Sequence, residues 1–223
     1  MESTVNFRHI GKICTPFKEK FGIPRQSGKT AAKGEITFFP EFNDPNAVRG
    51  LNKFSHLWIL FDFSLAHTEK FEPTVRPPRL GGNERVGVFA TRSPFRPNPV
   101  GLSSVKIENV SVRDGKVKIT VSGVDLLDGT PIFDIKPYLP YSDAHTDATG
   151  GFTDEKKERR LTVRDGGILD GISDYERTVI KECIAQDPRP SYQNDEERVY
   201  GVKIFDFDVK FKVKDSVATI TSI

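Results

Sequence analysis

Residues 102–122 read LSSVKIENVSVRDGKVKITVS. Two runs, Leu102 to Val112 and Lys116 to Ser122, alternate apolar and polar side chains around Asp114-Gly115. A period of two is the mark of a half-buried strand, and Asp-Gly between two such runs favours the two-residue turn that closes a hairpin. The stretch therefore predicts an antiparallel strand pair, and its neighbours extend the pattern. Val5 to Ile13, Glu35 to Phe39, His56 to Phe63, Val86 to Thr91 and Pro131 to Ile135 are further strand candidates. His56 to Phe63 (HLWILFDF) is apolar enough for a strand covered on both faces. Many short strands separated by turn residues predict a mainly β protein, a barrel or a sandwich.

After Tyr141 the texture changes. Residues 142–160 are polar, contain Gly150-Gly151 and a run of charges, and read as a linker or loop. Ser173 and Glu176 then have the spacing of a capping box. Ile172, Tyr175, Val179, Ile180, Cys183 and Ile184 follow at helical intervals, and Asp187-Pro188 predicts the helix end. Arg198 to Ile223 alternates again. The predicted organisation is a β-barrel-type domain over 1–141, followed by a linker and a small α+β subdomain over 142–223.

Composition bounds the function. The chain has 223 residues, 36% of them hydrophobic, and a net charge of +2. Residues 1–140 hold 20 Lys+Arg against 14 Asp+Glu, and the remainder 13 against 17. That asymmetry reflects either a polyanion facing the first part or uneven solvation. Two cysteines far apart argue against a disulfide framework and for a reducing compartment. No charged-then-apolar leader opens the chain, and the longest apolar stretch, Leu57 to Phe63, is too short to span a bilayer. A soluble, cytoplasmic protein is expected. Four His and two Cys show no metal-ligand spacing, so no metal is expected. The strained Gly-x-Ser-x-Gly elbow of a serine hydrolase is missing as well.

The most unusual composition lies between Arg76 and Gly101, RPPRLGGNERVGVFATRSPFRPNPVG. It holds five Arg, no Lys, five Pro and four Gly. Pro restricts the backbone and Gly permits positive φ, so the segment has specific irregular shapes. Arg in place of Lys suits forked, bidentate recognition of an anionic or nucleotide-like ligand. Within it, Pro94-Phe-Arg-Pro97 also fits a short polyproline ligand, the pattern of an adaptor. Gly22 to Thr30 (GIPRQSGKT) imitates a phosphate-binding P-loop, but its spacing is one residue too long and Pro24 removes a needed N–H. Residues 125–141 (DLLDGTPIFDIKPYLPY) form a second dense segment, in which Asp134 and Lys136 share one strand face. They are either a salt-bridged strand end or groups placed to meet a ligand. Residues 186–192 (QDPRPSY) are a helix stop whose Arg between two Pro echoes the earlier segment.

Taken in order, Pro24-Arg-Gln26, Phe54-Ser-His-Leu-Trp58, Val75-Arg-Pro-Pro-Arg79, Gly87 to Pro99 (GVFATRSPFRPNP), Asp128-Gly-Thr-Pro131, Asp134 to Tyr138 (DIKPY) and Asp187-Pro-Arg189 resemble the TsaA/TrmO family. The resemblance runs over essentially the whole chain. It implies a methyltransferase domain built on a single β-barrel in place of a Rossmann sheet. It implies S-adenosylmethionine as cofactor, and methylation of N6 of threonylcarbamoyladenosine at tRNA position 37. The partners it implies are a tRNA anticodon loop and a second copy of the chain, with the cofactor near the subunit interface. Carried over by motif, cofactor contacts fall on Pro24, Arg25, Gln26, Ser64, Leu65, Arg92, Leu102, Asp125, Leu126, Leu127 and Asp128. Ser64 and Leu65 depart from the His or Gln of many relatives, so only a backbone contact would survive there. Arg76, Arg79, Arg96 and Arg189 are the expected hands for the tRNA, and Asp134 and Tyr138 the expected activators of the nitrogen. A non-catalytic S-adenosylmethionine- or tRNA-binding protein on the same barrel is the alternative.

Overall fold

The computed structural model describes residues 5–155, 160–190, 193 and 195–223. The strands are β1 (Gly11–Cys14), β2 (Lys33–Phe38), β3 (His56–Asp62), β4 (Thr74–Val75), β5 (Val86–Gly87), β6 (Val100–Arg113), β7 (Lys116–Ser122), β8 (Pro131–Pro137), β9 (Thr162–Arg164), β10 (Tyr200–Ile204), β11 (Phe207–Lys214) and β12 (Val217–Ser222). The helices are α1 (Pro140–Asp143), α2 (Phe152–Glu155) and α3 (Asp174–Ala185).

Strands β1-β2-β7-β6-β3-β8 close into a barrel. The hairpin predicted from 102–122 lies at its centre, with Arg113 opposite Lys116 and both Asp114 and Gly115 at positive φ. Positive φ at both central residues is what a type I′ turn requires. Ile13, Ile36, Leu57, Ile59, Val105, Ile119, Val121 and Ile132 alternate inward and fill the barrel. Three expectations are corrected here. Residues 5–10 add no strand before β1, and Val86 to Thr91 pairs only at β5 before a 3₁₀ turn, Val88–Ala90, takes over. Strand β3 is not covered on both faces either: Leu57, Ile59 and Phe61 point in, while His56, Trp58 and Leu60 are half-buried outside. Gly101 sits opposite Phe61, whose ring atoms lie 2.2 Å from where a Cβ would stand. Only glycine allows that ring to lie flat across β6.

The remainder is a four-stranded sheet, β10-β11-β12-β9, with β9 parallel to β12 and α3 packed on it. Helix α3 has the predicted capping box: Ser173 Oγ accepts from Glu176 N, and the Glu176 side chain accepts from Ser173 N. The sheet is anchored tightly to the barrel. Phe17 bridges to Ile204, Phe205 N donates to Pro16 O at 2.7 Å, and the Tyr175 hydroxyl accepts from Lys33 N at 2.7 Å. One continuous hydrophobic cluster runs from Ile13 and Ile36 to Ile184 and Phe211. Gly22, the first glycine of the P-loop imitation, serves this junction: it has φ +91° and lies against Val202, leaving no room for a Cβ.

Candidate active site and nucleic-acid interface

The Arg-rich segment divides into three pieces. Strands β4 and β5 form a short hairpin stem whose loop, residues 76–85, projects as an arm with Gly81 and Gly82 at positive φ. Arg85 ties the arm to its stem, donating through Nε to Thr74 Oγ1 at 2.7 Å and through a terminal nitrogen to Thr74 O at 3.2 Å. The 3₁₀ turn follows, and then a Pro-braced turn in which Arg96 donates to Thr91 O at 2.8 Å.

These pieces wall an open basin of about 2460 Å³. Segments 25–29, 68–72 and 150–153 and residues Arg160, Gln186, Asp187 and Arg189 complete it. Ten Arg or Lys face it against three carboxylates, Glu69, Glu72 and Asp187. The volume exceeds what a small cofactor fills, which is commonly about 300–1,000 Å³. A wide cationic basin suits a folded polyanion.

At its inner side the expected cofactor residues from three distant segments meet. Arg92 Nη1 donates to Gln26 Oε1 at 2.7 Å, and Gln26 Nε2 donates to Arg25 O at 2.6 Å. Arg25 in turn donates to Asp187 O at 3.4 Å. Behind Arg92 lies Asp125, with Ser103 beside it; its Oδ1 is buried with no hydrogen-bond partner among the described residues. Burial pushes the Asp125 carboxyl up to about 6, against the pull of Ser103 and the Arg92 charge. A buried carboxylate oxygen without a donor is costly unless something completes it. Together, cationic Arg25 and Arg92, the Gln26 amide and the Asp125 carboxylate offer opposite charges side by side. That set matches a zwitterionic amino-acid group, the end that S-adenosylmethionine presents, so the residues fit the cofactor. Pro24 is buried beside them and stiffens the approach. Ser103 escaped the sequence reading, although a polar residue at an inward strand position between Gly101 and Val105 was a usable signal.

The other expected contacts lie elsewhere in this chain. Leu126 is 1% exposed in the core, and its carbonyl accepts from Thr15 Oγ1. Leu127 O caps Thr130. Asp128 closes the turn, accepting from Thr15 N at 2.8 Å and Lys18 Nζ at 2.9 Å. Burial alone would raise the Asp128 carboxyl, but those two donors outweigh it and hold it low. Leu126 and Asp128, two of the expected cofactor contacts, thus have side chains engaged in the fold, which leaves their backbone for a ligand. Leu65 and Leu102 are exposed on the outer barrel surface, where Phe63 N donates to Pro99 O and Leu102 pairs with Leu60. Ser64 is exposed in the same turn. Next to it, buried Asp62 bonds His9 at 3.2 Å and His67 at 2.7 Å, pinning residues on both sides of the barrel edge.

Arg76 and Arg79 stand on the projecting arm, and Arg96 on the braced turn; all three line the basin. Arg189 also lines it, but its fork is already engaged: Nε meets Asp187 Oδ1 at 2.6 Å and a terminal nitrogen meets Oδ2 at 2.9 Å, both side chains being buried. Arg189, expected as a hand for the tRNA, is thus paired with Asp187, whose carbonyl in turn accepts from Arg25. Ser191 and Tyr192 of the same motif lie outside the described residues. Asp134 and Tyr138 do not line the basin of their own chain. Asp134 pairs with Lys136 at 3.0 Å, the salt-bridged strand end. Tyr138 packs on Trp58, which donates to Asp143 Oδ2 at 2.8 Å. Among the described residues no group of three or more His, Cys, Asp or Glu could hold a metal, and no helix is long and apolar enough to cross a membrane.

Fold and site together define a closed β-barrel with a charge-paired small-ligand cluster opening on a polyanion-sized basin. Comparison with known proteins gives that class its family. The model of the tRNA-methyltransferase O N-terminal domain matches residues 12–144, and that of the TrmO C-terminal domain matches 171–223. The chain belongs to the tRNA-methyltransferase O family. It is 43% identical to the tRNA (adenine(37)-N6)-methyltransferase of Escherichia coli K12, over 96% of this chain and 95% of that one. It is 37% identical to a probable S-adenosyl-L-methionine-binding protein of Pyrococcus abyssi, over 72% of this chain and 83% of that one. A crystal structure of TrmO from Pseudomonas aeruginosa superposes with a TM-score of 0.80 at 34% identity, covering 100% of this chain and 97% of that one.

Proposed function

We propose that this protein methylates N6 of threonylcarbamoyladenosine at tRNA position 37, with S-adenosylmethionine as the methyl donor. The observation that carries the reading is the meeting of Arg25, Gln26, Arg92 and Asp125 beside a basin lined by ten cations. When bound, the cofactor supplies an activated methyl group, a chemistry that asks the protein chiefly for alignment and exclusion of water.

The chain's residues divide that work. Arg25 and Arg92 offer donors to the cofactor carboxylate, and the Asp125 carboxylate behind them is the counter-charge for its ammonium. Gln26 holds Arg92 in place before any ligand arrives, so less ordering is lost on binding. Arg76, Arg79 and Arg96 take phosphates and the threonyl carboxylate by forked hydrogen bonds. The nucleophile is a urea-like nitrogen of low basicity, which needs a group to polarise it. Asp134 and Tyr138 enter this role only through a second subunit, since neither reaches the basin of its own chain. A homodimer is part of the proposal for that reason, and exposed Leu65 and Leu102, with Ser64, are the contacts it would bring to the cofactor. The anticodon loop is the proposed tRNA element, because a base in an unpaired loop can be splayed out and read at its edges. The cytoplasm is the proposed compartment.

Incubation with threonylcarbamoylated tRNA and S-adenosylmethionine, followed by nucleoside mass spectrometry, tests the reading. A gain of one methyl group on the modified adenosine is expected. Binding of both ligands by calorimetry without that gain would leave a binding protein on the same barrel.

A further inference from the structure

Three phenylalanines that hydrophobicity would send inward stand together in the basin. Phe89 is 72% exposed, and Phe71 and Phe95 are each 50% exposed. The fold holds them there. Val88 is buried to 1% and its N–H donates to Pro73 O at 2.9 Å, so the 3₁₀ turn that buries Val88 turns Phe89 outward. The Phe71 ring lies nearly parallel to that of Phe89, with centroids 6.2 Å apart and planes at 25°. The Arg96 guanidinium sits over the Phe89 ring at 5.9 Å while its Nη1 grips Thr91 O, so cation and ring are fixed to the same turn. Phe95 lies between Pro94 and Arg96 in that brace.

Clustered exposed rings mark a contact surface, and the surroundings select its occupant. The wall around them is dominated by Arg and Lys, a poor fit to an apolar protein face, and it is concave, a poor fit to a flat lipid surface. Ring faces backed by a guanidinium, inside a cationic groove, match unpaired nucleobases, which stack on aromatic planes while their phosphates meet the cations. We infer that Phe71, Phe89 and Phe95 form a stacking platform for the unpaired bases that flank the modified adenosine, an inference that rests on the tRNA reading above. The platform gives the enzyme a way to prefer a single-stranded loop over a duplex without reading sequence, because every base has a stackable face and a paired base does not expose it.

Fluorescence anisotropy over a range of salt concentrations tests this, with two probes: an anticodon stem-loop RNA and a blunt-ended, fully paired RNA duplex of similar length. Phe89→Ala is expected to weaken stem-loop binding about 5- to 150-fold while leaving duplex binding unchanged. The slope of log affinity against log salt should not move, because no phosphate contact is lost. Phe89→Tyr should restore binding, and Arg76→Ala should instead make the slope shallower on both RNAs. Thermal melting of each variant checks that the fold is intact. An unchanged stem-loop affinity, an equal loss on both RNAs, or a change of oligomeric state in place of RNA affinity would each overturn the platform. If the wild-type protein binds neither RNA, the tRNA reading fails and takes the platform with it, an outcome no ring variant can imitate.

Discussion

At the scale of single residues, Asp125 is the most informative. Its carboxyl titrates near 6, above the ordinary carboxylate value, because burial disfavours its charge. Between about pH 4 and 6 the folded chain thus holds a proton that the unfolded chain releases, and stability falls as pH rises through that window. The shift corresponds to up to about 3 kcal/mol at neutral pH. Asp125→Asn should therefore stabilise the ligand-free protein at pH 7–8 and make no difference below pH 4, as read by denaturant unfolding at the two pH values. Equal stability at both would remove the buried charge from the argument. The same variant should bind S-adenosylmethionine more weakly, since the Asp125 charge is the proposed partner of its ammonium. Arg92→Ala should cost about 1.5–3 kcal/mol of cofactor or RNA affinity, as for a hydrogen bond involving a charge. Calorimetric titration with each ligand measures it, and an unaltered affinity for both makes Arg92 structural. Arg189 shows the limit of reading residues one at a time. Its Pro-bounded motif does not reveal its partner: Asp187, two positions earlier, turns back at φ +49° and takes the fork.

At the scale of elements, short-range signals were reliable where the local chemistry is self-sufficient. The Asp114-Gly115 turn and the Ser173 cap need only their near neighbours, and both form as expected. Ser173→Ala removes both cap hydrogen bonds made by the hydroxyl, should cost about 1 kcal/mol, and should lower the melting temperature by about 2–4 °C. Differential scanning calorimetry reads this, and an unchanged melting temperature would show that packing alone fixes the helix start. Signals failed where pairing depends on distant chain. Val86 to Thr91 has strand composition but is drawn into a 3₁₀ turn because Val88 is buried and tied to Pro73. Strand β9 carries too little pattern in its three residues to be singled out; it exists by pairing in parallel with β12.

At the scale of the whole molecule, the small C-terminal α+β part packs closely on the barrel. The hydrophobic cluster is continuous from barrel to second sheet, and Arg25, Tyr175, Lys203 and Glu182 stitch the two across their boundary. Thermal unfolding should therefore be a single transition, with the fluorescence of Trp58, the only tryptophan, and the far-UV helix signal, to which α3 contributes most, moving together. A helix signal that melts first would show two independent units. What the sequence determined alone was local or ordered along the chain: alternation, turns, the helix and its cap, and the succession of motifs that names the family. Each rests on neighbours within a few residues or on order along the chain, both of which survive without coordinates. Only the tertiary structure decided which of the motif residues act together. Closing the barrel brings Gln26, Arg92 and Asp125, far apart in the chain, into one cluster, sends Leu126 to the core, and occupies Asp128 and Arg189 in ion pairs. Contact between distant residues follows from strand order and register, and those are set by burying the whole apolar surface at once, which no single segment encodes.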